Sequence, residues 1–130
     1  MIYKNIAIDY VDHIAILKLN APEVLNALSP DMVQELSAAI SEIIESDARC
    51  LLMTGEGRAF CAGANLQARE NGDGFPPAGS VLESHYHPVM TKLRNMEIPM
   101  VSAVNGAAVG VGMSFAIMAD IVVASKSAYF

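Results

Sequence analysis

A single α/β domain is the fold class that this sequence predicts. Apolar runs of strand length stand on either side of one long stretch with helical spacing, the strand–helix–strand order from which parallel sheets are built. With 130 residues, 53% of them hydrophobic, the chain is long enough to bury one generous core and short for two domains. Two nearly uncharged glycine-bearing stretches, Phe60–Leu66 and Val104–Gly112, sit where an apolar strand gives way to something tighter.

Taken in order, Tyr3–Asp9 and His13–Leu19 alternate apolar and polar residues and predict a hairpin, with Asp12 near its turn. Ile6/Ile8 and Ile14/Ile16 mark one side of each strand. Ser29-Pro30-Asp31 reads as a helix start: a capping side chain, a proline at the first helical position and an acid in the first turn. From there Met32/Val33, Leu36, Ala39/Ile40 and Ile43/Ile44 recur opposite Gln34, Glu35, Ser41, Glu42 and Glu45, an amphipathic helix. Cys50–Thr54, ended by Gly55, fits a strand buried on both faces, and Gly55–Arg58 a turn. Gln67–Gly79 is polar and rich in Gly and Pro, which predicts an exposed loop. Ser80–Met96 returns to helical spacing with Pro88 as a kink or break. Met100–Val104 predicts a second buried strand, Gly112–Met118 a buried helix and Ile121–Ala124 a third buried strand.

Charge and composition exclude several functions. A formal net charge of −6 with no basic run argues against nucleic-acid binding. Residues 98–119 carry no charge, the length of a membrane span, but Pro99, Asn105-Gly106, Gly110 and Gly112 break them into strand, loop and helix, so no membrane partner is expected. Cys50 and Cys61 are too few for a disulfide framework, and Lys4 and Asp9 interrupt any signal-peptide core, so a cytoplasmic setting is expected. Cys61 has no sequence neighbour to make it a thiolate. His85 and His87 do not share a helix face, and no metal site is predicted. Gly110-x-Gly112 lacks the third glycine of a dinucleotide fingerprint, and no phosphate-loop lysine is present.

The glycine stretches read as two halves of one anion site built from main chain, because glycine lets a ligand approach free N–H groups. Tight turns with close helix packing are the plainer alternative for either stretch alone. Their order settles on something more definite. LNAPEVLNALS, then TGEGRAFCAGANL, then PMVSAVNGAAVGVGMSFAIMADIVVAS resembles the enoyl-CoA hydratase/isomerase (crotonase) superfamily along essentially the whole chain.

The resemblance implies a crotonase-like (ClpP/crotonase) spiral of repeated ββα units, with residues 1–130 its N-terminal portion. It implies an acyl-CoA thioester substrate, with coenzyme A part of that substrate and no separate cofactor. The N–H groups of Ala64 and Val111 would form an oxyanion hole for the thioester oxygen. Leu25, Asn26, Ala27, Ala62, Gly63, Asn65, Leu66 and Gly110 would contact the substrate and its CoA, with Asn65 standing where aspartate is commoner in the family. Family hydratases carry a glutamate at the position matching Ser114, and the second acid/base falls just past Phe130. The pattern resembles the isomerase branch, 1,2-epoxyphenylacetyl-CoA isomerases and Δ3-Δ2 enoyl-CoA isomerases in particular. An enoyl-CoA hydratase, or a truncated noncatalytic acyl-CoA-binding or assembly module, is the alternative. A homo-oligomer, a trimer or dimer of trimers, is implied for a full-length form.

Overall fold

Two residues, Asp12 and His13, reverse the chain between β1 (Ile6–Val11) and β2 (Ile14–Leu19). Both have positive φ, 49° and 67°, the left-handed pair that matches the twist of a tight antiparallel hairpin. The structure, a computed structural model, describes residues 2–64 and 86–130. The expected hairpin is therefore present, with the burial of its second strand inverted. Leu19 lies opposite Ile6 and Leu17 opposite Ile8, so Ala15, Leu17 and Leu19 go inward while Ile14 is 38% exposed.

The remaining elements are a 3-10 turn at Pro22–Val24, α1 (Pro30–Glu45), β3 (Cys50–Gly55), β4 (Ala59–Cys61), α2 (His87–Arg94), β5 (Met100–Val104), β6 (Ala107–Ala108), α3 (Val111–Ile117) and β7 (Ile121–Ala124). The main sheet runs β1-β2-β3-β5-β7, antiparallel only at its first pair. β4 and β6 form a second, parallel sheet, extended by a bridge between Ala107 and Tyr129.

The first helix starts where its sequence dictates. Ser29 Oγ accepts from the Met32 N–H at 3.2 Å, and Pro30 occupies a position whose N–H would be unpaired in any residue. Met32, Val33, Leu36, Ala39, Ile40 and Ile43 are buried on its inner face, the larger side chains worth about 1.5–3 kcal/mol each. Its outer face holds the start of the chain: Glu35 accepts from the N–H of Asn5 at 2.8 Å and of Lys4 at 3.1 Å, and Glu42 from the hydroxyls of Tyr10 at 2.8 Å and Tyr3 at 3.2 Å. Lys92 of α2 reaches across to Ser37 Oγ at 2.8 Å and Ser41 Oγ at 2.9 Å.

Pro88 lies in the first turn of α2, where its missing N–H is harmless, and the residues just before Tyr86 lie outside the described ones. Three expectations need correction. In β3 only Leu51 and Met53 are fully buried, because the other face is half covered. β7 is not a buried strand: it is the edge of the main sheet, with Ile121 and Val123 each 59% exposed and Val122 41% exposed. α3 begins at Val111 and ends at Ile117, one residue earlier at each end than its spacing suggested, and it is not a buried helix: Gly112, Phe115 and Ala116 face inward while Ile117 is 58% exposed. The predicted loop Gln67–Gly79 and the first part of Ser80–Met96 lie outside the described residues. Among the described residues no helix is long and apolar enough to cross a membrane, and residues 98–119 include β5, β6 and α3.

Candidate functional site

Three short stretches lie side by side, with residues 61–64 in the middle. On one side, Ala62 N–H donates to Leu25 O at 3.0 Å and Leu28 N–H to Gly63 O at 2.7 Å. On the other, Val109 N–H donates to Cys61 O at 3.0 Å. Gly63 has φ 102°, and a Cβ built on it would stand 3.0 Å from Val109 O, so both its backbone angle and its neighbour demand glycine. Gly112 is pressed against Cys61: an added Cβ would fall 2.8 Å from Cys61 Cβ and 2.9 Å from Sγ, and closer still to the carbonyl oxygen. The two glycine stretches read from the sequence as halves of one site are thus in contact.

The backbone bonds around this junction leave particular donors unused. Ala108 N–H goes to Tyr129 O and Gly112 N–H to Val109 O, both at 2.9 Å. The N–H groups of Ala64 and Val111 donate to no described residue. Both residues are half-buried.

Among the other expected site residues, Leu25 and Asn26 sit in the loop before α1 with left-handed φ of 55° and 57°. Leu25 and Ala27 are half-buried, Gly110 is exposed as the cap of α3, and Asn65 and Leu66 lie outside the described residues. Leu25 also borders a cleft of about 420 Å³ shared with Arg58, Ala59, Gly106, Ala107, Ser127 and Tyr129.

Asn26 does more than its backbone suggested. It is 0% exposed, its Oδ1 accepts from Ala21 N–H at 2.8 Å, and its Nδ2 donates to Glu56 O and Ala59 O, both at 2.9 Å. Asn105, read from the sequence only as a turn signal, is a second such clamp. Its Nδ2 donates to Gly57 O at 2.9 Å and Ala59 O at 3.1 Å, and its Oδ1 accepts from Gly55 N–H at 3.2 Å. The available signal was an asparagine inside each of two motifs, though nothing in the sequence says they share a partner.

Cys61 is fully buried, and burial pushes its thiol up to about 11 against an opposing backbone hydrogen bond from Gly63. A thiol in that state is no nucleophile at neutral pH. Ser114 on α3 is half-buried and brings no charge. Both cysteines are free, and among the described residues no group of three His, Cys, Asp or Glu could hold a metal ion.

Comparison with known proteins shows the family and the fold. The sequence pattern of a family described as Enoyl-CoA hydratase/isomerase matches residues 10–130. The chain is 42% identical to the 1,2-epoxyphenylacetyl-CoA isomerase of Escherichia coli, over 88% of this chain and 45% of that one. It is 38% identical to a Rhodobacter capsulatus protein named probable enoyl-CoA hydratase, over 100% of this chain and 49% of that one. Among solved structures, the enoyl-CoA hydratase of Bacillus anthracis superposes with a TM-score of 0.86 at 31% identity, covering 96% of this chain and 49% of that one. The fold is accordingly the expected crotonase-like α/β fold, and the chain spans about half the length of the curated relatives it matches.

Proposed function

Because this chain belongs to the enoyl-CoA hydratase/isomerase family, we propose that it forms the thioester-binding part of an isomerase acting on acyl-CoA. The N–H groups of Ala64 and Val111 hold the thioester oxygen. The observation that carries this reading is that these two N–H groups, on touching stretches of chain, donate to no described residue. When a proton leaves the carbon next to the thioester carbonyl, charge moves onto that oxygen, and fixed donors stabilise the enolate more than the ground state. A single such donor is worth about 100- to 1000-fold in rate.

Leu25, Ala27, Ala62, Asn65, Leu66 and Gly110 contact the acyl-CoA in this reading, while Asn26 and Gly63, both buried, shape the main chain beneath it, and coenzyme A enters as part of the substrate. Valine at position 111 is compatible with the role, since the donor is main chain. The choice of isomerase rests on Ser114: a hydroxyl there cannot serve as a two-carboxylate hydration site requires. The carboxylate that shuttles the proton lies outside these 130 residues, and the working protein is a cytoplasmic homo-oligomer. Hydration is the second reading, favoured by the name of the Rhodobacter relative.

The test is incubation of 2-enoyl- and 3-enoyl-CoA, in deuterated water, with the full-length protein that supplies this carboxylate. Isomerase chemistry puts deuterium at the α or γ carbon and shifts the double bond, whereas a 3-hydroxyacyl product identifies a hydratase. Tight acyl-CoA binding with neither exchange nor product overturns both and leaves a binding module.

A further inference from the structure

One carbonyl oxygen joins the three stretches that meet at the site. Ala59 O accepts from Asn26 Nδ2 at 2.9 Å and from Asn105 Nδ2 at 3.1 Å, which occupies both of its lone pairs. Ala59 heads β4, which runs into Ala64; Asn105 precedes β6, which runs into Val111; Asn26 lies in the loop that pairs with residues 62 and 63. The remaining polar atoms of both carboxamides are also engaged. Asn26 takes Ala21 N–H and donates to Glu56 O, and Asn105 takes Gly55 N–H and donates to Gly57 O. An amide is required at each position. Aspartate has the same shape but no donor, and it would set a negative charge against two carbonyl oxygens.

We propose that Asn105 and Asn26 are positioning residues that, through Ala59 O, fix the distance between the Ala64 and Val111 N–H groups. Neither touches the reacting atoms in this scheme. Each restrains one stretch against the same oxygen, so the two donors cannot drift apart independently. Misplacement of such donors by about 1 Å is enough to cost about 100-fold in rate. This inference rests on the thioester reading above, and its test separates the two.

The probe is cinnamoyl-CoA, a conjugated thioester whose absorption moves to the red when donors draw charge onto its oxygen. Binding to the wild-type protein without a red shift defeats the thioester reading before any variant is made. Given that shift, Asn105→Asp and Asn105→Ala are expected to keep the dissociation constant within about threefold while losing most of the shift. In the full-length protein, exchange of the α proton of 3-enoyl-CoA should fall about 10- to 100-fold. Variants with wild-type circular dichroism, wild-type shift and wild-type exchange overturn the positioning role and leave the thioester reading intact.

Should neither variant fold, the coupling is measured in the wild type, because it must be mutual. Saturating cinnamoyl-CoA then slows solvent exchange of the Asn26 and Asn105 side-chain amide protons more than it slows the Leu17 and Leu19 backbone amides. Equal slowing at all four overturns the proposal.

Discussion

Replacing Gly112 by alanine tests how tightly the two glycine stretches are pressed together. In an ordinary helix the change stabilises by about 1 kcal/mol, because alanine loses less backbone freedom. Here the new Cβ would stand 2.8 Å from Cys61 Cβ and 2.9 Å from Sγ, where comfortable contact begins near ~3.5 Å. The nearest obstacle of all is the Cys61 carbonyl, which accepts the Val109 N–H and cannot swing aside as a flexible side chain would. β4 and α3 must separate, an overpacking strain at the upper end of the usual range, about 3 kcal/mol. Subtracting the helix gain leaves a net loss of about 2 kcal/mol. The chain has no tryptophan, so the assay is urea unfolding followed by far-ultraviolet circular dichroism. With a slope of about 2 kcal/mol per molar urea, the midpoint should fall by about 1 M. A midpoint that is unchanged or higher would refute the contact and the reason given for glycine at this position.

Two further outcomes follow from buried polar atoms. Ser102, fully buried in β5, has a hydroxyl with no hydrogen-bond partner among the described residues, so Ser102→Ala should leave stability unchanged or raise it by about 1 kcal/mol, and a loss by the same assay shows that the hydroxyl has a partner. Burial raises the Cys61 thiol from 9.0 to about 11, so the folded protein keeps a proton that the unfolded chain releases. Its stabilising effect is complete below about pH 9 and falls as the pH rises towards 11. Tyr3 and Tyr10, also raised, from 10.0, join the loss only above that value, so Cys61→Ala should flatten the decline in unfolding midpoint between pH 9 and 10. Equal slopes in the two proteins would contradict the burial of an ionisable thiol.

The elements legible in the sequence are those whose signals are local. Ser29-Pro30-Asp31 and the apolar spacing behind it fix α1, and alternation fixes the β1–β2 pair. β4 and β6, three and two residues long, are too short to show any period, and their apolar, mostly small residues read only as part of a motif. The inner face of β2 depends on register, which Asp12 and His13 set through backbone angles that no hydropathy pattern encodes. Ile121–Ala124 looks buried by composition, yet burial belongs to the partner of a strand and not to its residues. Ala64 and Val111 enter through the family resemblance, and they fall, with Leu25 and Gly63, on the stretches that meet at the junction. The roles of the Asn26 and Asn105 side chains were out of reach, since their shared contact lies at positions remote in sequence from both.

That shared contact determines where this region is vulnerable to mutation. A carbonyl oxygen is present in every residue type, so no codon change at position 59 can delete the acceptor. The N–H groups of Ala64 and Val111 are lost to proline alone. A saturation scan should therefore find the junction in outline: tolerant of small residues at positions 59 and 64, and intolerant at Asn26, Gly63, Asn105 and Gly112, whose side chains or lack of one hold the main chain in place. The heritable information for the site is written in the residues that bend and pin the backbone, one step removed from the atoms that would meet a ligand.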